Sequence, residues 1–178
     1  SWISDGMIEG VANLSEWYFE TFATDESSTE GLFEDYDQPN TRVTHMTVDH
    51  ELPLTFWRAV GHSYSAFAKE SMIDELAQVA GIDEVAFRLQ NTQNSPRLNN
   101  VIRVAGERMA NMKVPAGHHL GFAAHHSFRT DVAEIAEVSV EDGKIRVHKV
   151  TCVLDCGQAV NPDIVRSQME GGVIYGLT

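Results

Sequence analysis

Alternating apolar and polar residues predict a β-hairpin in the last third of the chain. Between residues 132 and 140, and again between 145 and 153, most alternate positions are apolar, with Glu134, Lys149 and Thr151 as the exceptions. Asp142 and Gly143 lie between these two runs and form a typical two-residue turn, because both residues tolerate the left-handed backbone it requires. A shorter alternation from Thr41 to His50 predicts one more strand, which Pro53 ends.

Helical spacing of apolar residues predicts several helices. The clearest is Ser63 to Ala80, with Ser63 as the N-cap and Gly81 as the residue that stops it. Tyr64 and Phe67 lie opposite its apolar arc, so we expect this helix to be buried against two partners. The arc comprises Ala66, Ala68, Met72, Ile73, Leu76, Ala77, Val79 and Ala80. Further helices are predicted at Asp83 to Leu89, at Leu98 to Met112, and after Asn161-Pro162-Asp163, where Asn161 or Asp163 is the expected cap.

Together these elements predict an α+β fold, with helices packed on a mixed or antiparallel sheet that contains the hairpin. Residues 1–40 are interpreted as an acidic, loop-rich arm, and residues 41–178 as part of one domain. Within that domain, residues 41–114 hold a strand plus helices, and residues 115–178 hold the hairpin plus a C-terminal helix. A chain of 178 residues is long enough to bury a core without disulfides.

The negative charge of the chain limits the classes of partner that it can bind. The net charge is −13, and the first 41 residues contain ten acidic side chains and no Lys or Arg. Such a chain repels polyanions, which argues against binding to nucleic acid or to anionic membranes. No apolar run approaches the length of a membrane span. Because the sequence begins at Ser1 and ends at Thr178 inside a predicted helix, we expect it to be an excised segment.

Cysteines and histidines raise the question of a metal site. Cys152 and Cys156 are separated by three residues, which is not the spacing of zinc or redox pairs, so two buried thiols are predicted. Half of the eight histidines fall between residues 117 and 126. A transition-metal site is one hypothesis. Since adjacent side chains on an extended chain point to opposite faces, histidines satisfied within a strand or loop are favoured.

Two segments stand out from an ordinary core pattern. The first, Trp57-Arg58-Ala59-Val60-Gly61, precedes a helix N-terminus, where free N–H groups and the helix dipole favour an anion. The second, Gln168 to Leu177, has three glycines in a predicted helix, each costing about 1 kcal/mol relative to alanine. We therefore expect its backbone to approach a ligand or another helix closely. An ordinary turn and a tight helix crossing are the alternatives.

These segments carry a resemblance to a known family. Its most specific stretches are Phe56-Trp57-Arg58-Ala59-Val60-Gly61-His62-Ser63 and the block from Val153-Leu154-Asp155-Cys156-Gly157 to Gln168-Met169-Glu170-Gly171-Gly172-Val173-Ile174-Tyr175-Gly176-Leu177. Tyr36-Asp37-Gln38-Pro39-Asn40 and Val132-Ala133-Glu134-Ile135-Ala136 add to it. With these motifs the chain resembles the molybdopterin-binding large subunit of the xanthine dehydrogenase and aldehyde oxidase family, most of all its isoquinoline 1-oxidoreductase beta-subunit branch.

The resemblance implies a fragment of a molybdenum hydroxylase that oxidises an aldehyde or an N-heteroaromatic carbon, with water as the oxygen source. It implies a molybdopterin cofactor in the parent enzyme, and as partners the rest of the large subunit and an iron–sulfur small subunit. No protein side chain is expected to bind the metal, and the catalytic glutamate is expected beyond Thr178. The residues implied to bind the cofactor are Trp57, Arg58, Ala59, Val60, Gly61, Gln168, Gly171 and Gly172.

Several departures from the family pattern limit this expectation. The Gly-Gln-Gly cofactor loop is absent, Lys69 falls within the apolar arc where an aliphatic residue is usual, and Arg129 follows Phe128 where glycine is usual. We therefore expect the isolated chain to hold no stable cofactor and to be inactive. The alternative is a non-catalytic interaction domain that docks on a partner chain.

Overall fold

The computed structural model describes residues 26–32, 35–46 and 57–178. After a 3₁₀ helix at Glu26–Thr29 come helices α1, α2 and α3, then strands β1, β2 and β3, and finally helix α4. Their bounds are His62–Ala80, Glu84–Gln90, Pro96–Ala110, His118–Ser127, Thr130–Glu141, Lys144–Asp155 and Pro162–Leu177. The sheet is antiparallel with the order β1-β2-β3, which confirms the predicted α+β class. The boundary at residue 40 stays a prediction.

Two tight turns join the strands. Asp142 and Gly143 connect β2 to β3 with φ values of 51° and 74°, which confirms the predicted hairpin. Phe128 and Arg129 connect β1 to β2, also with positive φ, at 46° and 66°. Both turns therefore have the backbone of the two-residue hairpin loop that matches the twist of the strands. The second turn and strand β1 were not predicted.

The core lies between α3 and one face of the sheet. Its buried side chains are Leu98, Val101, Ile102 and Ala105 from α3, Phe122 and Ala124 from β1, and Ala133 and Ile135 from β2. Helix α2 packs against α3 at Gly106, where an added Cβ would lie 2.5 Å from a methyl of Val85. The predicted helix at 98–112 is thus confirmed, although it begins at Pro96.

Helix α1 differs from its prediction in which face it buries. Its buried residues are His62, Ser65, Glu70, Ile73 and Ala77, so three of the five are polar. The predicted apolar arc is wrong for three of its four large members: Met72, Leu76 and Val79 are exposed and only Ile73 is buried. Tyr64 and Phe67 are exposed as well. The reason is that α1 contacts its neighbours through hydrogen bonds and ion pairs, which apolar periodicity does not report.

The ends of the helices follow sequence signals in part. Gly81 ends α1 in the left-handed conformation as predicted, and of the two predicted cap candidates of α4 it is Asn161 that caps the helix. Asp83, predicted as the first residue of its helix, is the N-cap of α2. The prediction of Ser63 as the N-cap of α1 is wrong, because Gly61 occupies that position. The Ser63 hydroxyl instead donates a hydrogen bond to the Val60 carbonyl.

Some of the predicted residues lie outside the ranges that the structure describes. Residues 41–46 form no strand, and none of the three described strands pairs with them, so that part of the Thr41-to-His50 prediction is wrong. Residues 47–50, Pro53 and residues 1–25 lie outside the described ranges. Cys152 and Cys156 are free thiols, half-buried instead of buried. Among the described helices, none combines the length and apolar character needed to cross a membrane.

Candidate functional site

The segment before α1 forms an irregular turn with an exposed aromatic side chain. Ala59 and Val60 both have positive φ, at 69° and 47°. A left-handed conformation is unfavourable for a β-branched residue such as Val60, and strain of this kind concentrates at functional sites. The Trp57 side chain is 71% exposed. The first turn of α1 has no acidic residue of its own, so no carboxylate within the turn neutralises the positive end of the helix dipole.

One face of α4 carries an open stripe. The stripe begins at Gln168 and continues three, four and seven residues later at Gly171, Gly172 and Tyr175. This spacing places the four residues on one face of the helix. A Cβ added at Gly171 or Gly172 would meet no atom within 4 Å. The described residues therefore form no tight helix crossing at these glycines. The helix backbone here is open to approach.

Arg58 and Tyr175 bring these two segments together. The Arg58 guanidinium carbon lies 5.1 Å from the centroid of the Tyr175 ring, within the range of a cation–π contact. The turn that contains Arg58 thus lies next to the end of α4 that contains Tyr175. Tyr175 was not among the predicted site residues, because no local pattern shows which ring a distant arginine contacts.

A large groove lies on a different side of α4. It has a volume of about 670 Å³ and is lined mainly by β3 and α4, including Cys152, Leu154, Arg166 and Ile174. Neither Gln168, the two glycines nor Tyr175 lines this groove. The open stripe is therefore a surface separate from this groove.

A buried ion pair holds the scaffold behind the site. Arg88 is fully buried, and its Nε donates to Glu70 Oε2 over 3.0 Å. The Tyr36 hydroxyl donates to the other oxygen of Glu70 over 2.7 Å, and the Ala124 backbone N–H donates to Oε2 over 2.8 Å. Burial, and then the charge of Glu70, raise the pKa of Tyr36 far above its usual value. This network ties α1 to α2, to β1 and to the segment at Tyr36.

A second buried cluster lies at the N-terminus of α1, next to the irregular turn. His62 Nδ1 and His125 Nε2 are 3.0 Å apart, and His125 Nδ1 lies 3.6 Å from Asp35 Oδ2. Lys69 forms a buried ion pair with Asp35, which explains how a lysine is accommodated on this helix. Burial, with the nearby positive charge of Lys69, lowers the pKa of His125 to about 3. His125 is therefore neutral near pH 7.

Two further histidines of β1, His118 and His126, have local polar partners. His118 Nδ1 lies 2.6 Å from Glu137 Oε1, and its ring stacks on His148 with centroids 4.0 Å apart. His126 Nδ1 lies 2.8 Å from Asp131 Oδ1. In ranges 26–32, 35–46 and 57–178, no group of three or more His, Cys, Asp or Glu side chains is placed to hold a metal ion. The prediction of histidines with polar partners is therefore confirmed for His118, His125 and His126, whereas His119 is exposed.

Comparison with known proteins gives family matches that include both predicted site segments, the turn at Trp57–Gly61 and helix α4. Residues 60–178 match a family model described as a molybdopterin cofactor-binding domain, and residues 13–92 match a second model with the same description. The first match contains Val60, Gly61 and all of α4, and the second contains Trp57 to Gly61. No solved structure matches the chain.

Curated relatives that the chain matches are parts of larger oxidoreductases. The chain is 32% identical over 175 residues to the beta subunit of isoquinoline 1-oxidoreductase from Brevundimonas diminuta, covering 94% of the chain and 22% of that protein. It is 31% identical over 163 residues to a nicotinate dehydrogenase subunit of Pseudomonas putida, covering 80% and 14%. A match of 44% identity over 45 residues, covering 25% and 6%, is to the nicotine 6-hydroxylase large subunit of Paenarthrobacter nicotinovorans. The chain thus spans less than a quarter of the length of these relatives. From the two domain matches, the chain belongs to the molybdopterin cofactor-binding domain family.

Proposed function

We propose that this chain forms part of the cofactor-binding domain of a molybdenum hydroxylase that oxidises an N-heteroaromatic carbon, with water as the oxygen source. Isoquinoline, nicotinate and nicotine, which give the relatives their names, all contain an aromatic ring nitrogen. Those names favour an N-heteroaromatic substrate over an aldehyde, the other class that the family resemblance allows. The relatives are named as subunits, which supports an iron–sulfur small subunit as the partner that accepts the electrons.

The observation that carries this proposal is the contact between Arg58 and Tyr175. It joins the turn at Trp57–Gly61 to the open stripe of α4, and both segments lie within the matched cofactor-binding domains. Without this contact, the two segments would be separate surface features. With it, they form a single surface that carries a cation, an exposed aromatic ring and open helix backbone.

The residues of this surface fit a molybdopterin cofactor, which is flat and anionic. Among the described residues, the Arg58 guanidinium has no carboxylate partner, so its charge is available to an anion. Gly171 and Gly172 leave space for a ligand to approach the helix backbone. The bound cofactor supplies the molybdenum centre at which the substrate carbon is oxidised. The chain itself would bind and orient the cofactor through Trp57–Gly61, Gln168, Gly171 and Gly172.

We also propose that the catalytic glutamate lies outside this chain. The three buried carboxylates of the described residues already have structural roles, since Glu70 pairs with Arg88, Asp35 pairs with Lys69 and Asp131 pairs with His126. A general base must be free to accept a proton from the reacting group. The isolated chain is therefore inactive and retains no molybdenum.

The test compares the isolated chain with the oxidoreductase that contains it. Molybdenum is measured by elemental analysis, and turnover by dye reduction with isoquinoline, nicotinate and an aromatic aldehyde as substrates. We expect no molybdenum and no turnover for the isolated chain, and for the complete enzyme faster dye reduction with an N-heteroaromatic substrate than with the aldehyde. Stoichiometric molybdenum in the isolated chain, or turnover of the aldehyde alone, would contradict the proposal.

A second candidate function is a non-catalytic interaction domain that docks on a partner chain. It is favoured by α1, where Met72, Leu76 and Val79 are exposed on one side of the helix and Phe67 is exposed on the other. Co-expression with the remainder of the oxidoreductase separates the two candidates. Recovery of dye reduction favours the hydroxylase, and assembly of a complex without molybdenum or turnover favours the interaction domain.

A further inference from the structure

Arg58 occupies an exposed turn where little else restrains its side chain. Its contact with the Tyr175 ring is the one interaction of the guanidinium among the described residues. A long arginine side chain samples many rotamers unless a partner holds it, and fixing it on binding costs conformational entropy. The position of the Arg58 charge therefore depends on Tyr175.

The ring of Tyr175, and not its hydroxyl, makes this contact. The hydroxyl forms no hydrogen bond with the described residues, whereas the ring face lies under the guanidinium. The Tyr175 side chain is 37% exposed, so the contact is near the surface. Phenylalanine offers the same face to a cation, and an aliphatic side chain does not.

Tyr175 also lies on the stripe that the proposed site uses. It follows Gly171 and Gly172 by four and three residues, one turn further along the same face of α4. A guanidinium held over Tyr175 is thus placed at the end of the open glycine stripe. A ligand lying along the stripe would meet the charge without a rearrangement of Arg58.

We propose that Tyr175 is a positioning residue, whose ring holds Arg58 beside Gly171 and Gly172 so that the guanidinium is already placed for an anionic cofactor. This inference rests on the proposed function, because it assigns the cofactor to this surface. Tyr175 acts through Arg58, and its contribution is preorganisation.

The first test is a double-mutant cycle in this chain, read by urea unfolding. The variants are Arg58→Ala, Tyr175→Leu and both together, with Tyr175→Phe as the conservative change. We expect Arg58 and Tyr175 to be coupled by about two- to fivefold in the unfolding equilibrium constant. Tyr175→Phe should retain the coupling. Ile174→Ala, an exposed neighbour on α4, serves as the control and should show no coupling to Arg58. Additive effects of Arg58→Ala and Tyr175→Leu would overturn the inference.

The second test measures molybdenum retention in the oxidoreductase that contains the chain. Purified variants are dialysed, and molybdenum per protein is followed over time by elemental analysis. We expect release about two- to fivefold faster for Tyr175→Leu than for wild type, with Tyr175→Phe and Ile174→Ala unchanged. If Arg58→Ala releases molybdenum faster but Tyr175→Leu does not, the positioning role is wrong and the proposed function stands. If Arg58→Ala also retains molybdenum as wild type does, the assignment of the cofactor to this surface is wrong.

Discussion

Glu70 and Arg88 form a buried ion pair that joins α1 to α2, with Arg88 Nε 3.0 Å from Glu70 Oε2 and the arginine fully buried. Glu70 also accepts hydrogen bonds from the Tyr36 hydroxyl and the Ala124 backbone N–H. A buried carboxylate with three donors is well compensated, but the compensation is lost if one charged partner is removed. The orientation of α1, and with it of the turn at Arg58, depends on this pair.

Removing the arginine should therefore destabilise the chain strongly. We predict that Arg88→Met lowers the free energy of unfolding by about 3 to 5 kcal/mol, because it leaves the Glu70 carboxylate buried without its cation. Urea denaturation monitored by circular dichroism measures this. Arg103→Met is the matched control, since Arg103 pairs with Glu107 on the exposed face of α3 and should change stability little. Equal effects of the two substitutions would contradict the role assigned to Glu70 and Arg88.

Stability should fall in mild acid because of His125. Its pKa is lowered to about 3, chiefly by burial and then by the charge of Lys69, whereas a histidine in an unfolded chain titrates near 6.5. Between these two values the unfolded state binds a proton that the folded state does not. Above about pH 6.5, the neutral His125 makes its full contribution to the free energy of unfolding. As the pH falls below this value, that contribution is lost by at most about 1.4 kcal/mol per pH unit.

The variant His125→Gln should flatten the pH profile in this range. The measurement is a series of urea unfolding curves between pH 7 and 4, compared with wild type. His119→Gln is the control, because His119 is an exposed residue of the same strand and should keep the wild-type slope. Parallel profiles for wild type and His125→Gln would show that His125 is not the group responsible.

The β1–β2 turn should be improved by glycine. Arg129 has a φ of 66°, a conformation that costs a residue with a Cβ about 1 kcal/mol and costs glycine nothing. We predict that Arg129→Gly raises the free energy of unfolding by about 1 kcal/mol, and that Gly143→Ala in the other turn lowers it by a similar amount. Gly121→Ala is the control, since its φ is not positive and an added Cβ would meet no atom within 4 Å. A destabilised Arg129→Gly would contradict the turn geometry.

Cys152 should be an unreactive thiol. Burial, and then the negative charge of Glu134, raise the pKa of Cys152 to about 12, so little thiolate forms at pH 8.5. We predict slow alkylation by iodoacetamide, and alkylation several times faster in Glu134→Gln because the carboxylate charge is gone. Peptide mass spectrometry follows the reaction, with Cys156 in the same digests as the internal reference. An unchanged alkylation rate for Cys152 in Glu134→Gln would show that the Glu134 charge does not control the reactivity of Cys152.

What the sequence could predict depends on how local each signal is. The hairpin and its turn at Asp142-Gly143 follow from a period of two and from turn chemistry, both of which are local. Strand β1 was missed because glycine and paired histidines hide the alternation of Leu120, Phe122 and Ala124. The buried face of α1 was misassigned because Glu70 finds its partners 18 and 34 residues away, at Arg88 and Tyr36.

In the candidate site, too, only the features with a local sequence signal could be predicted. Trp57–Gly61 and the glycines of α4 stand out as unusual segments without any structure, since each breaks a local rule of helix or turn composition. Their proximity and the part of Tyr175 in it could not be predicted. A contact between Arg58 and Tyr175 is decided by how the sheet and α4 are placed, which no local pattern records.

The most direct test of the central claim is an experimental structure of the molybdenum-loaded oxidoreductase that contains this chain. The measured quantity is the distance from the bound cofactor to the Arg58 guanidinium and to the backbone of Gly171 and Gly172. We predict contact distances below about 4 Å to both segments, with the Tyr175 ring under the guanidinium. A cofactor bound elsewhere, with Arg58 and the glycine stripe covered by another part of the protein, would contradict the account.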